Sequence, residues 1–191
     1  MRLFVALEIP ADVRDNLAAV IRELNKLSSQ AASKPPRWVR PENLHVTLKF
    51  IGETAPGMLD AIRDALAGIR VNKPIDINCK GLGFFPDDRR PQVLWAGLDA
   101  SGNLPRLAED VDRALETVGV AHEKRAFTPH LTLARFDPPR LPEKLRDAIN
   151  PTAARDFGSF QARQFHLIES RTKPSGAEYT TLHSFAFRAE A

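Results

Sequence analysis

The chain has 191 residues, 43% hydrophobic and 27% charged, with a net charge of +3. That length suits one large domain or two small lobes around a real core, and so small a positive charge permits an anionic partner without requiring one. A single cysteine, Cys79, excludes an intramolecular disulfide and a cysteine-based zinc site, and no apolar run has the length of a signal peptide or membrane span, so a cytoplasmic protein is expected.

In chain order, "RLFVALEI" reads as a buried strand ended by Pro10, and Val13, Leu17, Ile21, Leu24 and Leu27 recur at helical spacing. A polar loop, "SSQAASKPPR", leads to "WVRPENLHVTLKFIG", whose second half is a strand closed by Gly52. Met58, Ile62, Leu66 and Ile69 mark a second helix, and "PIDINCKGLGFF" follows as a strand that buries Cys79 as a small hydrophobe. "PQVLWAGLD" is the next strand. Leu104, Leu107, Val111, Leu115 and Val118 give a helix, "TPHLTLARF" a strand, and residues 141–149 a short helix. "ARQFHLIESRT" and "YTTLHSFAF" close the chain as strands. The order strand–helix–strand–helix–strand thus occurs twice. This predicts a single domain over 1–191 with duplicated halves, roughly 1–90 and 91–191, each a small α+β lobe.

Both halves carry His-x-Thr-Leu, in "HVTLKF" at 45–50 and "HLTLAR" at 130–135. For this composition the coincidence has a chance of about three in ten thousand. Side chains alternate faces along a strand, so His45, Thr47 and Lys49 share one face, with Val46, Leu48 and Phe50 on the other. His130 and Thr132 pair likewise, opposite Leu131 and Leu133. If the two lobes pack with pseudo-two-fold symmetry, both His/Thr faces line one cleft. Two imidazoles there are a general acid and a general base. Hydroxyls beside them can donate to oxygens on which charge builds. The chemistry suits in-line displacement at a phosphodiester. A metal site fits less well, because the neighbours are threonines and no third ligand is evident. His122, His166 and His183 have no such companions and are read as structural.

Basic residues gather at Lys34/Arg37/Arg40, Arg89/Arg90 and Lys124/Arg125, the last two groups close to Phe84, Phe85 and Phe127. Basic and aromatic residues together can grip single-stranded nucleic acid. A non-catalytic RNA-binding module is therefore an alternative, but one needing exposed aromatics where the motifs place His and Thr.

The stretches "RLFVAL", "WVRPENLHVTLKFIG", "RPQVLWAGL", "FTPHLTLAR" and "ESRTKPSGAEYTTL" together resemble the 2H phosphoesterase superfamily, and within it the LigT-like RNA 2′,3′-cyclic phosphodiesterases, also called 2′-5′ RNA ligases. The resemblance implies a bilobal α+β fold with two antiparallel-rich sheets, flanking helices and a central cleft. It implies opening of RNA or nucleoside 2′,3′-cyclic phosphates to 2′-phosphomonoesters without metal or cofactor, with 2′-5′ ligation at the same site as the alternative. By resemblance His45 protonates the leaving 3′ oxygen, His130 activates water, and Thr47, Thr132 and Arg135 hold the phosphate. Strand alternation puts Arg135 on the face opposite His130 unless the strand ends or bulges near Ala134. A monomer with no membrane partner completes the expectation.

Overall fold

The structure, a computed structural model, describes residues 1–31, 34–100, 102–150, 154–174 and 176–188. Strand β1 (Arg2–Glu8) is apolar from Leu3 to Leu7 and buried along all of that run, as befits a strand covered on both faces. Helix α1 (Ala11–Ala31) follows. It runs through the stretch read above as the start of a polar loop, because the Ser28 and Ser29 hydroxyls both donate to the Asn25 carbonyl within the helix. Ser28 is buried, and its oxygen accepts from the Trp38 indole at 3.4 Å. Next come β2 (Arg37–Trp38), a 3₁₀ turn (Pro41–Asn43), β3 (His45–Glu53), α2 (Leu59–Ala67) and β4 (Ile75–Phe85). The remainder is β5 (Val93–Ala100), α3 (Asn103–Glu116), β6 (His130–Arg135), α4 (Glu143–Ile149), β7 (Asp156–Ala162), β8 (Gln164–Lys173) and β9 (Gly176–Ala186). Two strands go beyond the sequence reading: the two-residue β2, and β7, an edge strand interrupted by Gly158 at φ +111°, where Val13 and Asn16 of α1 pack closely.

The strands form two antiparallel sheets, ordered β3-β1-β8-β9 and β2-β6-β5-β4-β7. This is the α+β, two-sheet architecture expected. The lobes do not coincide with the halves 1–90 and 91–191, however. The first sheet takes β8 and β9 from the C-terminal half, and the second takes β2 and β4 from the N-terminal half. The helices are exchanged too: α3 packs on α2 and β3, and α1 on α4 and β7. The reason is hairpin geometry. β4 pairs with its neighbour in sequence, β5, and β8 returns to pair with β1, so each repeat's third strand closes the other repeat's sheet.

One continuous apolar core runs from Leu3, Val5 and Leu7 on β1 through α1, α2 and α3 to Leu94, Leu131 and Phe157. Phe4, Ala6 and Ile168 are buried on the opposite face of the first sheet, with Tyr179 against them. That sheet curls until Tyr179 of β9, at one edge, meets His45 of β3, at the other.

Candidate active site

Each motif strand carries a β-bulge at the same place. On β3, Val5 pairs with Lys49 and Ala6 with Thr47, which leaves Leu48 as the extra residue. On β6, Leu94 pairs with Ala134 and Trp95 with Thr132, which leaves Leu133 extra. A bulge inserts one residue and reverses the facing of everything after it. Up to the threonines the alternation holds: His45, Thr47, His130 and Thr132 are half-buried, and Val46, Leu48, Leu131 and Leu133 are buried. Beyond them the expected faces are inverted. Lys49 does not share the His45 face; it points into the interior beside Val5. Phe50, expected with the apolar residues, lies opposite Phe4 on the His45 face and is 61% exposed. Arg135 is turned by the bulge onto the His130 face and is exposed.

The two imidazoles are held alike. His45 Nδ1 lies 2.6 Å from the Asn43 carbonyl, and His130 Nδ1 lies 2.7 Å from the Thr128 carbonyl, each two residues upstream. A carbonyl only accepts, so Nδ1 carries the proton and donates it in both rings. That fixes the tautomer and leaves Nε2 as the titrating nitrogen. An aromatic edge braces each ring: Tyr179 meets His45 at 5.2 Å and 84°, and Phe85 meets His130 at 5.0 Å and 84°. Behind them, Phe4 lies 4.8 Å from His45, and Trp95 lies 5.3 Å from Phe85. The Trp95 indole covers Gly83, where a Cβ would come within 2.2 Å of it. Only glycine leaves that space.

Electrostatics tie the lobes together. Burial pushes the pKa of both histidines below 6.5, the bonds to the Asn43 and Thr128 carbonyls oppose that, and the Arg135 guanidinium lowers both further. His130 also lowers His45. Arg135 therefore acts on an imidazole from each sheet. Burial keeps the Tyr179 phenol protonated, its pKa raised despite the charges of Arg135 and Arg2. The segment entering β3 spans the lobes: Arg37 and Trp38 pair with Arg135 and Ala134 of β6, and the Asn43 side chain donates to the Ala177 carbonyl of β9 at 2.8 Å. Its counterpart entering β6 is held by buried Lys49, which pairs with Asp112 of α3 and donates to the Ala121 carbonyl at 2.7 Å.

Among the other histidines, exposed His122 contacts Asp112 at 2.5 Å, and His166 is buried with Nδ1 2.9 Å from the Ser184 hydroxyl. His183 lies on β9 near Phe185. Of the basic groups, Arg37 flanks Arg135, the Arg89 and Arg90 amides are capped by Asp87, and Arg125 pairs with Glu123. Cys79 is fully buried, which pushes its thiol up to about 12. Tyr179, Phe85 and Phe4 were not picked out as site residues from the sequence. The usable signal for the first was that it is the chain's single tyrosine.

The family model of the 2′-5′ RNA ligase superfamily matches residues 13–174. A protein of Archaeoglobus fulgidus named RNA 2′,3′-cyclic phosphodiesterase is 34% identical over 185 residues, covering 97% of this chain and 99% of its own. Among solved structures, TT0787 of Thermus thermophilus superposes with a TM-score of 0.82 at 28% identity over the whole of both chains. E. coli LigT complexed with 3′-AMP has the same fold, with a TM-score of 0.77 at 24% identity over 97% of each chain.

Proposed function

The chain belongs to the 2′-5′ RNA ligase superfamily, and we propose that it hydrolyses 2′,3′-cyclic phosphates, on RNA ends or free nucleosides, to 2′-phosphomonoesters without metal or cofactor. The observation that carries this reading is the matched pair of imidazoles. Each is anchored through Nδ1 to a backbone carbonyl, and Arg135 acts on both. His130 Nε2 removes a proton from water as the water oxygen bonds to phosphorus. The P–O3′ bond breaks, and O3′ takes the proton carried on His45 Nε2. The ester through O2′ stays intact, so the product is a 2′-phosphate. Thr47 and Thr132 donate to the non-bridging oxygens, and Arg135 balances their charge. Proton exchange with water returns the histidines to their starting states.

No metal is needed in this scheme. Among the described residues no three His, Cys, Asp or Glu side chains gather to hold one, and a catalytic metal would supply its own hydroxide and make the base redundant. The test is turnover of the four nucleoside 2′,3′-cyclic phosphates, with products resolved as 2′ or 3′ isomers by phosphorus NMR, with and without EDTA. The expected result is a 2′-phosphate at an unchanged rate in EDTA. A 3′-phosphate as the main product overturns the assignment of the leaving oxygen. Activity lost in EDTA and restored by a divalent ion overturns the metal-free scheme.

A further inference from the structure

Arg37 and Arg135 lie directly opposite each other in the β2–β6 ladder. Residues so placed share a face of the sheet, with Cβ atoms about 5 Å apart. Trp38, the next residue, turns the other way, onto the core, and its indole donates to Ser28 at 3.4 Å. Arg37 therefore stands on the His130 face beside Arg135, and both are exposed. Like charges directly opposite destabilise a sheet, and here the protein does not offset them. Asp137, the carboxylate nearest to Arg135 in sequence, is taken by Lys34, and among the described residues neither guanidinium has a carboxylate partner. Backbone bonding still holds the two together, with the Val39 amide donating to the Leu133 carbonyl at 2.8 Å. The two cations are not equivalent. Arg135 lowers both imidazoles, and Arg37 is not among the charges that act on either. One guanidinium serves the reacting centre, and the other stands one strand further out, at the edge of the sheet.

We propose that Arg37 binds the phosphodiester on the 5′ side of the terminal nucleoside, and so selects RNA ends over free nucleoside cyclic phosphates. The inference rests on the reading of Arg135 as a ligand of the cyclic phosphate. In an RNA end the nearest other anion is the phosphate on O5′ of the same nucleoside, and a free nucleoside cyclic phosphate lacks it. Two long side chains that start about 5 Å apart on one face can splay to meet two successive phosphates. The second anion also relieves the repulsion that the ladder builds in. A contact to the backbone carries no base information, so the gain from a longer chain should not depend on its sequence.

The test uses three substrates: adenosine 2′,3′-cyclic phosphate, the diadenosine dinucleotide ending in the same cyclic phosphate, and that dinucleotide with a neutral methylphosphonate linkage. Wild type should prefer the charged dinucleotide to both others. In Arg37→Met the kcat/KM ratio of the charged to the neutral dinucleotide should fall roughly ten-fold, carried by KM, with the mononucleotide unchanged. Arg37→Lys, which keeps the charge, should retain part of the preference. On the charged dinucleotide, the slope of log kcat/KM against log salt should become shallower by about 0.7 in Arg37→Met, as for one lost phosphate contact on a single strand. An unchanged ratio in Arg37→Met overturns the proposal. So does an equal loss on all three substrates, which would mean that Arg37 acts through Arg135 on the reacting phosphate. A wild type that turns over the mononucleotide and gains nothing from the charged linkage also overturns it, and leaves the hydrolase reading standing. No turnover of any of the three by wild type overturns that reading itself, and this inference with it.

Discussion

The strands β3 and β6 follow one local plan up to their bulges and differ beyond them. Each has a histidine tied by Nδ1 to a carbonyl two residues back, a threonine on the same face, a bulge after that threonine, and an aromatic edge against the imidazole. After the bulge they part. The interior-facing residue is Lys49 on β3 and Ala134 on β6, and the exposed one, on the histidine's face, is Phe50 on β3 and Arg135 on β6. Symmetry supplies two equivalent imidazoles, whereas the mechanism proposed above needs an acid and a base that differ. Strands that diverge only past the bulge keep the paired histidines and threonines, and then present Arg135 on β6 and Phe50 on β3.

Removing either histidine tests the symmetric part and should have the largest effect. His45→Ala and His130→Ala should each lower kcat/KM by ~10²–10⁴-fold, with far-UV circular dichroism unchanged, because both rings are anchored by backbone rather than buried in the core. If one variant retains most of its activity while folded, the two motifs are not equivalent partners. The buried ion pair tests the asymmetric part. Breaking it with Asp112→Ala strands the Lys49 ammonium and should cost about 3–5 kcal/mol of stability, read from chemical denaturation. The double variant Lys49→Met/Asp112→Leu should recover most of that, since β6 manages with Ala134 in the same place. No recovery would mean that the pair also positions the loop before His130.

The histidine–threonine pairing was legible because period-two alternation and the repeated motif are local signals. Past Leu48 and Leu133 regular alternation gives the wrong faces, for one physical reason. A bulge is decided by the cross-strand partners, here Val5 and Ala6 on one side and Leu94 and Trp95 on the other, and leaves no change in the hydrophobic pattern. Alternation puts Lys49 and Phe50 on the wrong faces, and Arg135 reaches the His130 face through the bulge that its expected position required. Aligning the two copies offered a clue: "TLKF" and "TLAR" put a charge at different offsets, which regular strands cannot reconcile with one shared cleft. The exchange of β4 and β8 between sheets was hidden similarly. Linear order fixes which elements repeat, while pairing across long separations fixes which sheet they join.

The threonines should behave alike if the bulges have preserved the symmetry up to them. Thr47→Val and Thr132→Val keep the β-branched shape and remove the donor. Each should cost about 1.5–3 kcal/mol in kcat/KM, as expected for a hydrogen bond to a charged oxygen. A large effect at one and none at the other would show that the phosphate sits against one wall alone.

The smallest effect is a displacement on the pH axis, and it bears on Arg135. Burial first, then Arg135, holds both free histidines below 6.5, against the pull of their carbonyl bonds. The profile of kcat/KM reports free-enzyme groups. It should be a bell that falls on the acid side as His130 gains a proton and on the alkaline side as His45 loses one, with its maximum below 6.5. The profile of kcat reports the complex, where a phosphate anion beside both rings favours their protonated forms, so that bell should lie at higher pH. Arg135→Met removes a cation that lowers both imidazoles. It should move both limbs of the kcat/KM bell toward higher pH, as well as reducing its height, whereas Phe50→Leu, at the mirror position, carries no charge to remove and should move neither. Initial rates on one cyclic nucleotide from about pH 5 to 9 decide it. If only one limb moves in Arg135→Met, the guanidinium serves one wall and not the cleft, and if the rate only rises with pH, no protonated histidine takes part.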